Sequence, residues 1–420
     1  MEALTRDQMI ALAVLAVVIV SLVSEKLRAD VAAMAGAAAL ALTGVVGPQE
    51  LQRGLASPAL IALASLFVIA HALERTGVIG VLIAQAARLG QWIGALAGPL
   101  VIAVSAVISA FLNNTPVVLL AAPLLRDLAL GLGRSPREWL IPLSYAAVLA
   151  GCCTLIGTST NLLVAGMAET AELEPFGLFE ITPVGLTIAA AGGVYLVLAA
   201  PWLLRRKPRS SILDEVEPVP PEPLRPRRAF IGLAVFSGVI TAAAFGMPLA
   251  AAAFGGAVLL LLMRVMSPEE AYGGLRPNIL LMIAGMIVVG IAVEKTGLAR
   301  EATEALSDWA VPHGPLVALA VLYGLTLFLT EVLSNAAVAV LITPLAIGLA
   351  ENLGVDPRPM VVGVMMAASA AFATPFGYQT NAIVYGVGGY RYMDFVRVGL
   401  PLNLITWVAG VWAIQRFFPF

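Results

Sequence analysis

Long apolar segments separated by short polar ones make up most of this chain. Stretches nearly free of charge, such as MIALAVLAVVIVSLVS (9–24) and NILLMIAGMIVVGIAV (278–293), are long enough to cross a hydrocarbon layer of roughly 30 Å as helices. Five crossings are predicted in the first half, near residues 8–24, 31–47, 57–73, 139–167 and 182–204. The pattern predicts an all-α polytopic membrane protein.

The polar positions of the first half recur in the second half at an offset of 220 residues. The offset changes to 221 in the middle of the repeat and to 214 near its end. The matches include Pro48 with Pro268, Glu50 with Glu270, ERTG (74–77) with EKTG (294–297), Asn114 with Asn335 and Asn161 with Asn381. Such self-similarity indicates two copies of one unit. We assign 1–204 to a first repeat and 229–420 to a second. The proline- and charge-rich linker between them, 205–228, cannot bury apolar area.

Two further apolar stretches, 97–112 and 115–130, meet at Asn113-Asn114-Thr115. If they form a re-entrant hairpin, the repeat has five crossings, and if each spans the membrane it has seven. Both numbers are odd, so the two repeats are predicted to be inverted relative to each other. A linker in the cytoplasm places both termini outside, and 18 of the 24 Lys and Arg residues then lie on the cytoplasmic side. We expect a cell membrane location, the inner membrane in a bacterium.

The polar groups at the hairpin tips need a physical reason, because an unpaired amide costs several kcal/mol in a membrane. The second repeat places Ser334-Asn335-Ala336 at the equivalent tip, and the segments GTSTN (157–161) and GYQTN (377–381) interrupt two other apolar runs. Glycine permits unwinding, and the carbonyl groups it frees can bind a hard cation. Two tips facing two unwound segments predict two cation sites, with an anion held between them at helix N-termini. A lone buried amide is commonly only an interhelical contact, but recurrence in both repeats favours a ligand site.

Composition narrows the function further. The chain is 60% hydrophobic and 12% charged, with a mean hydropathy of +0.95, far from a soluble domain. It has two histidines and two cysteines, Cys152 and Cys153, which are adjacent in an apolar segment and are expected to fill space. No metal cluster and no nucleophile with a matching base is visible, so we expect neither an enzyme nor an organic cofactor, and no nucleic acid partner.

At these tips and breaks the chain resembles the divalent anion:sodium symporters, solute carrier family 13, within the ion transporter superfamily. That family carries a Ser-Asn-Thr signature at each hairpin tip, which here reads Asn113-Asn114-Thr115 and Ser334-Asn335-Ala336. The resemblance covers nearly the whole chain. It implies a homodimer that moves a transport domain against a scaffold in an elevator motion, with sodium as the coupling ion.

The resemblance also implies site residues. It places one sodium ion at Ser109, Asn113, Asn114 and Gly157, and the other at Thr330, Ser334, Asn335 and Gly377. The substrate anion is expected at Asn114, Thr115, Asn335, Thr158, Ser159 and Tyr378.

Two departures from the family pattern bear on the substrate. Ala336 lacks the hydroxyl that dicarboxylate-type members use, and Tyr378-Gln379 replaces their usual pair of a small residue and proline. The stretch TPFGYQTN (374–381) is similar to a subgroup described as sulfate permeases. We therefore favour sulfate over a C4 dicarboxylate. A proton-coupled anion transporter, an arsenite or cation antiporter of the same superfamily, and an ion channel are the alternatives.

Glu331 stands one residue after Thr330, and its counterpart in the first repeat is Ala110. A carboxylate at this depth is costly and marks a functional candidate. If ionised, it strengthens the second cation site, and if protonated, it binds a proton where relatives bind sodium. A purely structural role, as a protonated side chain bonded to a neighbouring helix, is equally open.

Overall fold

The structure is a computed structural model that describes residues 5–24, 27–204, 222–298 and 311–420. These residues form α-helices and two single 3₁₀ turns, 94–96 and 311–313, with no strand among them. The linker predicted at 205–228 lies outside the described residues, apart from its last few positions. The expected all-α fold class is confirmed.

Eleven helices precede the linker. They are α1 (Arg6–Ser24), α2 (Ala29–Leu42), α3 (Pro48–Leu55), α4 (Pro58–Arg75), α5 (Val78–Ile93), α6 (Ala97–Ser109), α7 (Asn114–Gly131), α8 (Arg137–Gly151), α9 (Ser159–Thr170), α10 (Thr182–Leu198) and the short α11 (Ala200–Leu203).

Nine helices follow the linker in the described residues. They are α12 (Pro226–Ala244), α13 (Leu249–Leu262), α14 (Pro268–Gly274), α15 (Pro277–Lys295), α16 (Pro315–Leu329), α17 (Asn335–Leu353), α18 (Arg358–Ala368), α19 (Gln379–Gly388) and α20 (Tyr392–Phe417).

Helical segments that are long and apolar enough to cross a membrane occur in both halves. By length and composition they number five in the described part of the chain, at 48–75, 226–244, 277–295, 335–353 and 392–417. Other apolar helices are shorter, with 10–17 residues, and three of these, α6, α16 and α18, end at a hairpin tip or a helix break. A multi-pass membrane protein follows from this pattern.

Helix α5 is absent from the crossings predicted above, which leave residues 74–96 unassigned between the third crossing and the hairpin. It packs on α6 and α7, and its buried positions include Val78, Ile79 and Ile83. Polar residues such as Gln85 and Arg88 interrupt the apolar run, so the segment shows no long stretch that resembles a span. An amphipathic helix of this kind is defined by one apolar face, not by total hydropathy.

The helices sort into two packed groups, and each group draws on both halves of the chain. In the first group, which we call the outer group, α2 packs on α15 and α13 packs on α4. In the second, the inner group, α9 packs on α17 and α7 packs on α19, with α8 against α7, α18 against α17 and α20 against α18. The offset of 220 or 221 relates α2 to α13, α4 to α15, α7 to α17 and α9 to α19. The two contacts within each group are therefore the same contact with the roles of the two halves swapped. The packing is therefore reciprocal between the two halves.

Two equivalent ion pairs cross between the halves in the outer group. Arg75 bonds Glu270 at 3.0 Å, and Lys295 bonds Glu50 at 2.6 Å. Arg75 and Lys295 are 220 positions apart in the sequence, and so are Glu50 and Glu270. Glu50 and Glu270 also cap the helices that contain them, by accepting from the backbone N–H of Gly47 and Ser267.

The inner group has its own equivalent pair, which we call the arginine clamps. In the first clamp, Arg137 at the start of α8 pairs with Asp394 of α20 and stacks over the Tyr390 ring at 5.0 Å. In the second clamp, Arg358 at the start of α18 pairs with Glu180 and stacks over the Phe176 ring at 4.2 Å. The arginines differ by 221 positions and their partners by 214, which matches the offsets read from the sequence.

The contact between the two groups is closely fitted where α9 meets α4 and α15. Gly166 of α9 lies so close to Ala59 that an added Cβ would come within 2.6 Å of the Ala59 methyl, and Gly290 of α15 faces the end of Met167. By contrast, the four ion pairs that join the halves each stay within one group. These ion pairs therefore hold each group together, and small residues such as Gly166 and Ala59 let the two groups approach closely.

The first arginine clamp generates a stability prediction. Its two side chains are each about 5% exposed, whereas those of the second are 16% and 34% exposed. Removing Arg137 leaves Asp394 buried without its charge partner, which costs about 3–5 kcal/mol. We expect Arg137→Ala to lower the melting temperature of the purified protein much more than the matched variant Arg358→Ala. Equal shifts would contradict this account of the clamps.

Candidate functional site

The first hairpin tip lies between α6, which ends at Ser109, and α7, which begins at Asn114. Asn113 is the N-cap, and its side-chain oxygen accepts from the Thr115 N–H at 3.2 Å. This bond satisfies one of the free N–H groups at the start of a helix. Asn114 is 1% exposed and Ser109 is fully buried, so the tip is held inside the inner group.

The first helix break covers residues 152–158, between α8 and α9. Of the predicted segment 157–161, residues 157 and 158 lie in the break and the remaining three form the first turn of α9. Thr158 is the N-cap, and its hydroxyl accepts from the Thr160 N–H at 3.3 Å. Cys152 and Cys153 begin the break and are buried and free.

Thr154 is the centre of the first break, although the sequence analysis did not select it. Its hydroxyl donates to the Ala110 carbonyl at the first tip and accepts from the Gly157 N–H at 3.1 Å. The Asn161 amide donates to the Thr154 carbonyl at 3.1 Å. Gly157 approaches so closely that an added Cβ would lie 2.8 Å from the Ala110 carbonyl oxygen, which explains the glycine.

The second break, residues 369–378 between α18 and α19, repeats this arrangement residue by residue. The Thr374 hydroxyl donates to the Glu331 carbonyl at 3.1 Å and accepts from the Gly377 N–H at 3.0 Å. The Asn381 amide donates to the Thr374 carbonyl at 3.0 Å. Thr374 is 220 residues after Thr154, so the offset used to match the asparagines was the signal that could have found both threonines.

The second hairpin tip lies between α16 and α17. Ser334 is the N-cap of α17, and its hydroxyl accepts from the Ala337 N–H at 3.4 Å. The Thr330 hydroxyl lies 2.7 Å from both the Asn335 side-chain oxygen and the Ala368 carbonyl, so it ties the tip to the end of α18.

Glu331 is anchored at this tip by groups from two other elements. Its Oε1 accepts from the Ala373 N–H and from the Asn403 amide, both at 2.7 Å. Its Oε2 is buried with no hydrogen-bond partner among the described residues, and it lies beside Gly377. The counterparts of Glu331 and Asn403 in the first half are Ala110 and Ala189, so the pair exists in one half only.

The first tip and the second break are joined directly. The Asn114 amide donates to the Tyr378 hydroxyl oxygen at 3.0 Å, and the Thr115 hydroxyl donates to the Gln379 side-chain oxygen at 3.0 Å. Thr158 and Ser159, at the start of α9, belong to the helix that packs on α17, which begins at the second tip. The structure thus brings both tips and both breaks into the middle of the inner group.

Several buried oxygen atoms at these tips and breaks have no hydrogen-bond partner in the described residues. In the first half they are Ser109 Oγ, Asn114 Oδ1 and Asn161 Oδ1, and in the second they are Glu331 Oε2, Ser369 Oγ and Asn403 Oδ1. A buried oxygen without a donor is costly, so each needs a reason. Hard cations such as sodium bind oxygen ligands of this kind.

The comparison with known families settles the class of protein. The profile of a family described as citrate transporters, CitMHS, matches residues 19–364. The chain belongs to this family. Membership confirms the expected ion transporter superfamily and a role in transport.

Individual relatives of this transporter include proteins named for sulfate. An uncharacterized transporter of Synechocystis sp. is 26% identical, with 95% of each chain covered. Sodium/sulfate cotransporter 1 of Chlamydomonas reinhardtii is 31% identical over 48% of this chain and 24% of the relative. The solved structure of the YdaH transporter of Alcanivorax borkumensis matches with a TM-score of 0.63 at 14% identity, covering 86% of this chain and 85% of that one. This structural match shows a shared transporter fold.

The two threonines generate a prediction about the breaks. Thr154→Val and Thr374→Val keep the side-chain shape but remove the hydroxyl, which leaves a carbonyl and a glycine N–H without their partner. Each loss costs about 1–3 kcal/mol, so amide hydrogen exchange in the affected break should rise by about tenfold or more. Mass spectrometry of peptides covering 152–158 and 369–378 measures this.

Thr187→Val is the matched control, because the Thr187 hydroxyl bonds only the Pro183 carbonyl of its own helix, at 2.8 Å. Unchanged exchange in both threonine variants would show that the hydroxyls do not hold the breaks.

Proposed function

We propose that this protein is a secondary active transporter that couples the uptake of a small divalent anion, sulfate in first place, to a cation gradient. The observation that supports it most is the presence of buried, unpartnered oxygens at both tips, Ser109 Oγ and Asn114 Oδ1 at the first and Glu331 Oε2 at the second. Sulfate is favoured because relatives that match part of this chain are named sodium/sulfate cotransporters.

The first cation site is built from Ser109, Asn113, Asn114 and Gly157. Ser109 Oγ and Asn114 Oδ1 supply free lone pairs, and Gly157 brings the backbone of the break against the tip. Those oxygens are neutral, so a cation held there keeps its positive charge unbalanced until an anion binds nearby. This favours binding of cation and anion together.

The second cation site is built from Thr330, Ser334, Asn335 and Gly377, with Glu331 beside it. The free Glu331 Oε2 next to Gly377 makes this site more acidic than the first. We therefore assign the stronger cation binding to the second site. The same carboxylate could carry a proton, so proton coupling is the second candidate for the driving ion.

The anion lies between the sites, at Asn114, Thr115, Asn335, Thr158, Ser159 and Tyr378. Helices α7, α9, α17 and α19 all begin around this position, and helix N-termini offer free N–H groups and partial positive charge. The donors are neutral, so the bound cations supply the full positive charge that a dianion requires. An anion site of this kind is not needed by a cation antiporter.

The two helix groups suggest how the site is moved. All four tip and break elements belong to the inner group, and each group is held by its own ion pairs between the halves. The four ion pairs described above do not cross between the groups, so none of them resists sliding. We propose that the inner group moves as a rigid body against the outer group, which is an elevator motion. The protein would be a homodimer. In each chain the two repeats are inverted, the linker is cytoplasmic and both termini lie outside.

Uptake into proteoliposomes tests the function. With an inward sodium gradient, or with an inward proton gradient if Glu331 carries the coupling ion, labelled sulfate should accumulate several-fold above equilibrium. Excess unlabelled sulfate should compete better than succinate or citrate. Asn114→Ala and Asn335→Ala should each reduce the uptake to below about a tenth, while the protein stays folded.

A control for these variants is Asn278→Ala, which removes an exposed asparagine at the start of α15 in the outer group and should retain uptake. Sulfate flux that only equilibrates and ignores both gradients would indicate a channel. Normal uptake by either Asn114→Ala or Asn335→Ala would show that this asparagine is not part of the binding site.

Glu331→Gln separates the two candidate coupling ions. Glutamine keeps the size and one acceptor oxygen but removes the charge. If sodium binds beside Glu331, the sodium concentration for half-maximal uptake should rise about tenfold. If a proton binds there, the pH dependence of uptake should flatten instead. The ratio of sulfate uptake to succinate uptake should change less than the sodium dependence or the pH dependence.

Glu269→Gln is the control, since Glu269 is an exposed acid on α14. Sodium and pH profiles identical to those of the unaltered protein would make Glu331 a structural residue.

A further inference from the structure

Tyr378, the last residue of the second break, and Gln379, the first residue of α19, cover two adjacent residues of the first tip. Tyr378 accepts from Asn114, and Gln379 accepts from Thr115, each across 3.0 Å. The Tyr378 ring packs against the apolar core, whereas Gln379 is exposed at the start of α19. We call these two residues the bridge.

The bridge has no equivalent on the other side of the site. At the offset of 220, the counterparts of Tyr378 and Gln379 are Thr158 and Ser159, which are short, and Thr158 bonds the first turn of its own helix. The residue that corresponds to Thr115 at the second tip is Ala336, which has no hydroxyl to donate. Both ends of a reciprocal bridge are therefore missing.

The bonds of the bridge place a hydroxyl and an amide at this position. The Tyr378 hydroxyl accepts from Asn114 and also contacts the Thr158 side chain, and because the Gln379 oxygen accepts from Thr115, the Gln379 NH₂ group can donate elsewhere. Both side chains are neutral and stand beside the first turns of α7 and α19. They add to the backbone N–H groups already directed at that position.

We propose that this bridge is the selectivity filter of the transporter and restricts its anion site to compact tetrahedral oxyanions. The inference rests on the proposed function. A tetrahedral oxyanion presents oxygens in all directions, so it can accept from the bridge and from the helix N-termini at once. A four-carbon dicarboxylate has an apolar middle and a second carboxylate several bonds away, and the two long side chains occupy the room that it needs.

The experiment gives the second half the short side chains that the first half has at the equivalent positions. In proteoliposomes, the double variant Tyr378→Thr/Gln379→Ser should gain succinate uptake, and the ratio of sulfate to succinate transport should fall at least tenfold. Tyr378→Phe keeps the ring but loses the donor. It should still exclude succinate, while its KM for sulfate rises several-fold.

Phe376→Ala is the control, since Phe376 lies two residues from Tyr378 in the same break but is 75% exposed. It should leave the ratio unchanged. If the double variant transports neither anion, thermal-shift binding of sulfate and of succinate to the purified variant gives the same ratio without transport.

The possible failures are distinct. Gradient-driven sulfate uptake by the unaltered protein, with an unchanged preference in the double variant, would overturn the filter and leave the proposed function intact. The absence of gradient-driven uptake in the unaltered protein would overturn the proposed function itself. Succinate uptake by Tyr378→Phe equal to that of the double variant would show that the hydroxyl, and not the size of the bridge, sets the preference.

Discussion

A helix that breaks inside a membrane must satisfy within the protein every backbone group that the break exposes, because lipid offers no hydrogen bonds. This chain meets the requirement twice with the same two side chains. Thr154 and Thr374 tie each break to the neighbouring hairpin tip, and Asn161 and Asn381 donate to carbonyls within each break. The placement of the tips, of the glycine backbones and of the helices that follow depends on these contacts. Polar residues that look out of place in an apolar sequence are thus the condition for breaking a helix there at all.

Reciprocal contacts and single-sided contacts have different roles in this protein. Ion pairs, arginine clamps and helix packing all occur twice with exchanged partners, and they build the two groups of helices. The features that occur once are Glu331 with Asn403 and Tyr378 with Gln379, and both come from the second half. Repetition supplies a framework that closes on itself, since each contact of one half is returned by the other. The unmatched side chains supply the charge and the shape that distinguish one ligand from another.

The sequence predicted the fold class and the transporter family well, because both depend on features repeated over many residues. Apolar length marks a membrane helix, and a fixed offset between polar motifs marks a duplicated unit. The tips at 113–115 and 334–336 were visible for the same reason, since amides in an apolar run are costly wherever they lie. Helix α5 was missed because an amphipathic segment has no long apolar run. Thr154 and Thr374 were missed because a threonine in an apolar helix commonly bonds its own preceding turn, so neither looked unusual alone.

By itself, therefore, the sequence determined that this is an all-helical membrane transporter, and it indicated two copies of one unit and the polar groups that are too costly to be accidental. Those conclusions follow from the local free energy of each residue in lipid. Only the tertiary structure decided which of those groups meet. The bond from Asn114 to Tyr378 joins residues 264 positions apart, and that from Asn403 to Glu331 joins residues 72 apart. Contacts over such separations depend on how whole helices pack, and packing is a property of all the side chains together.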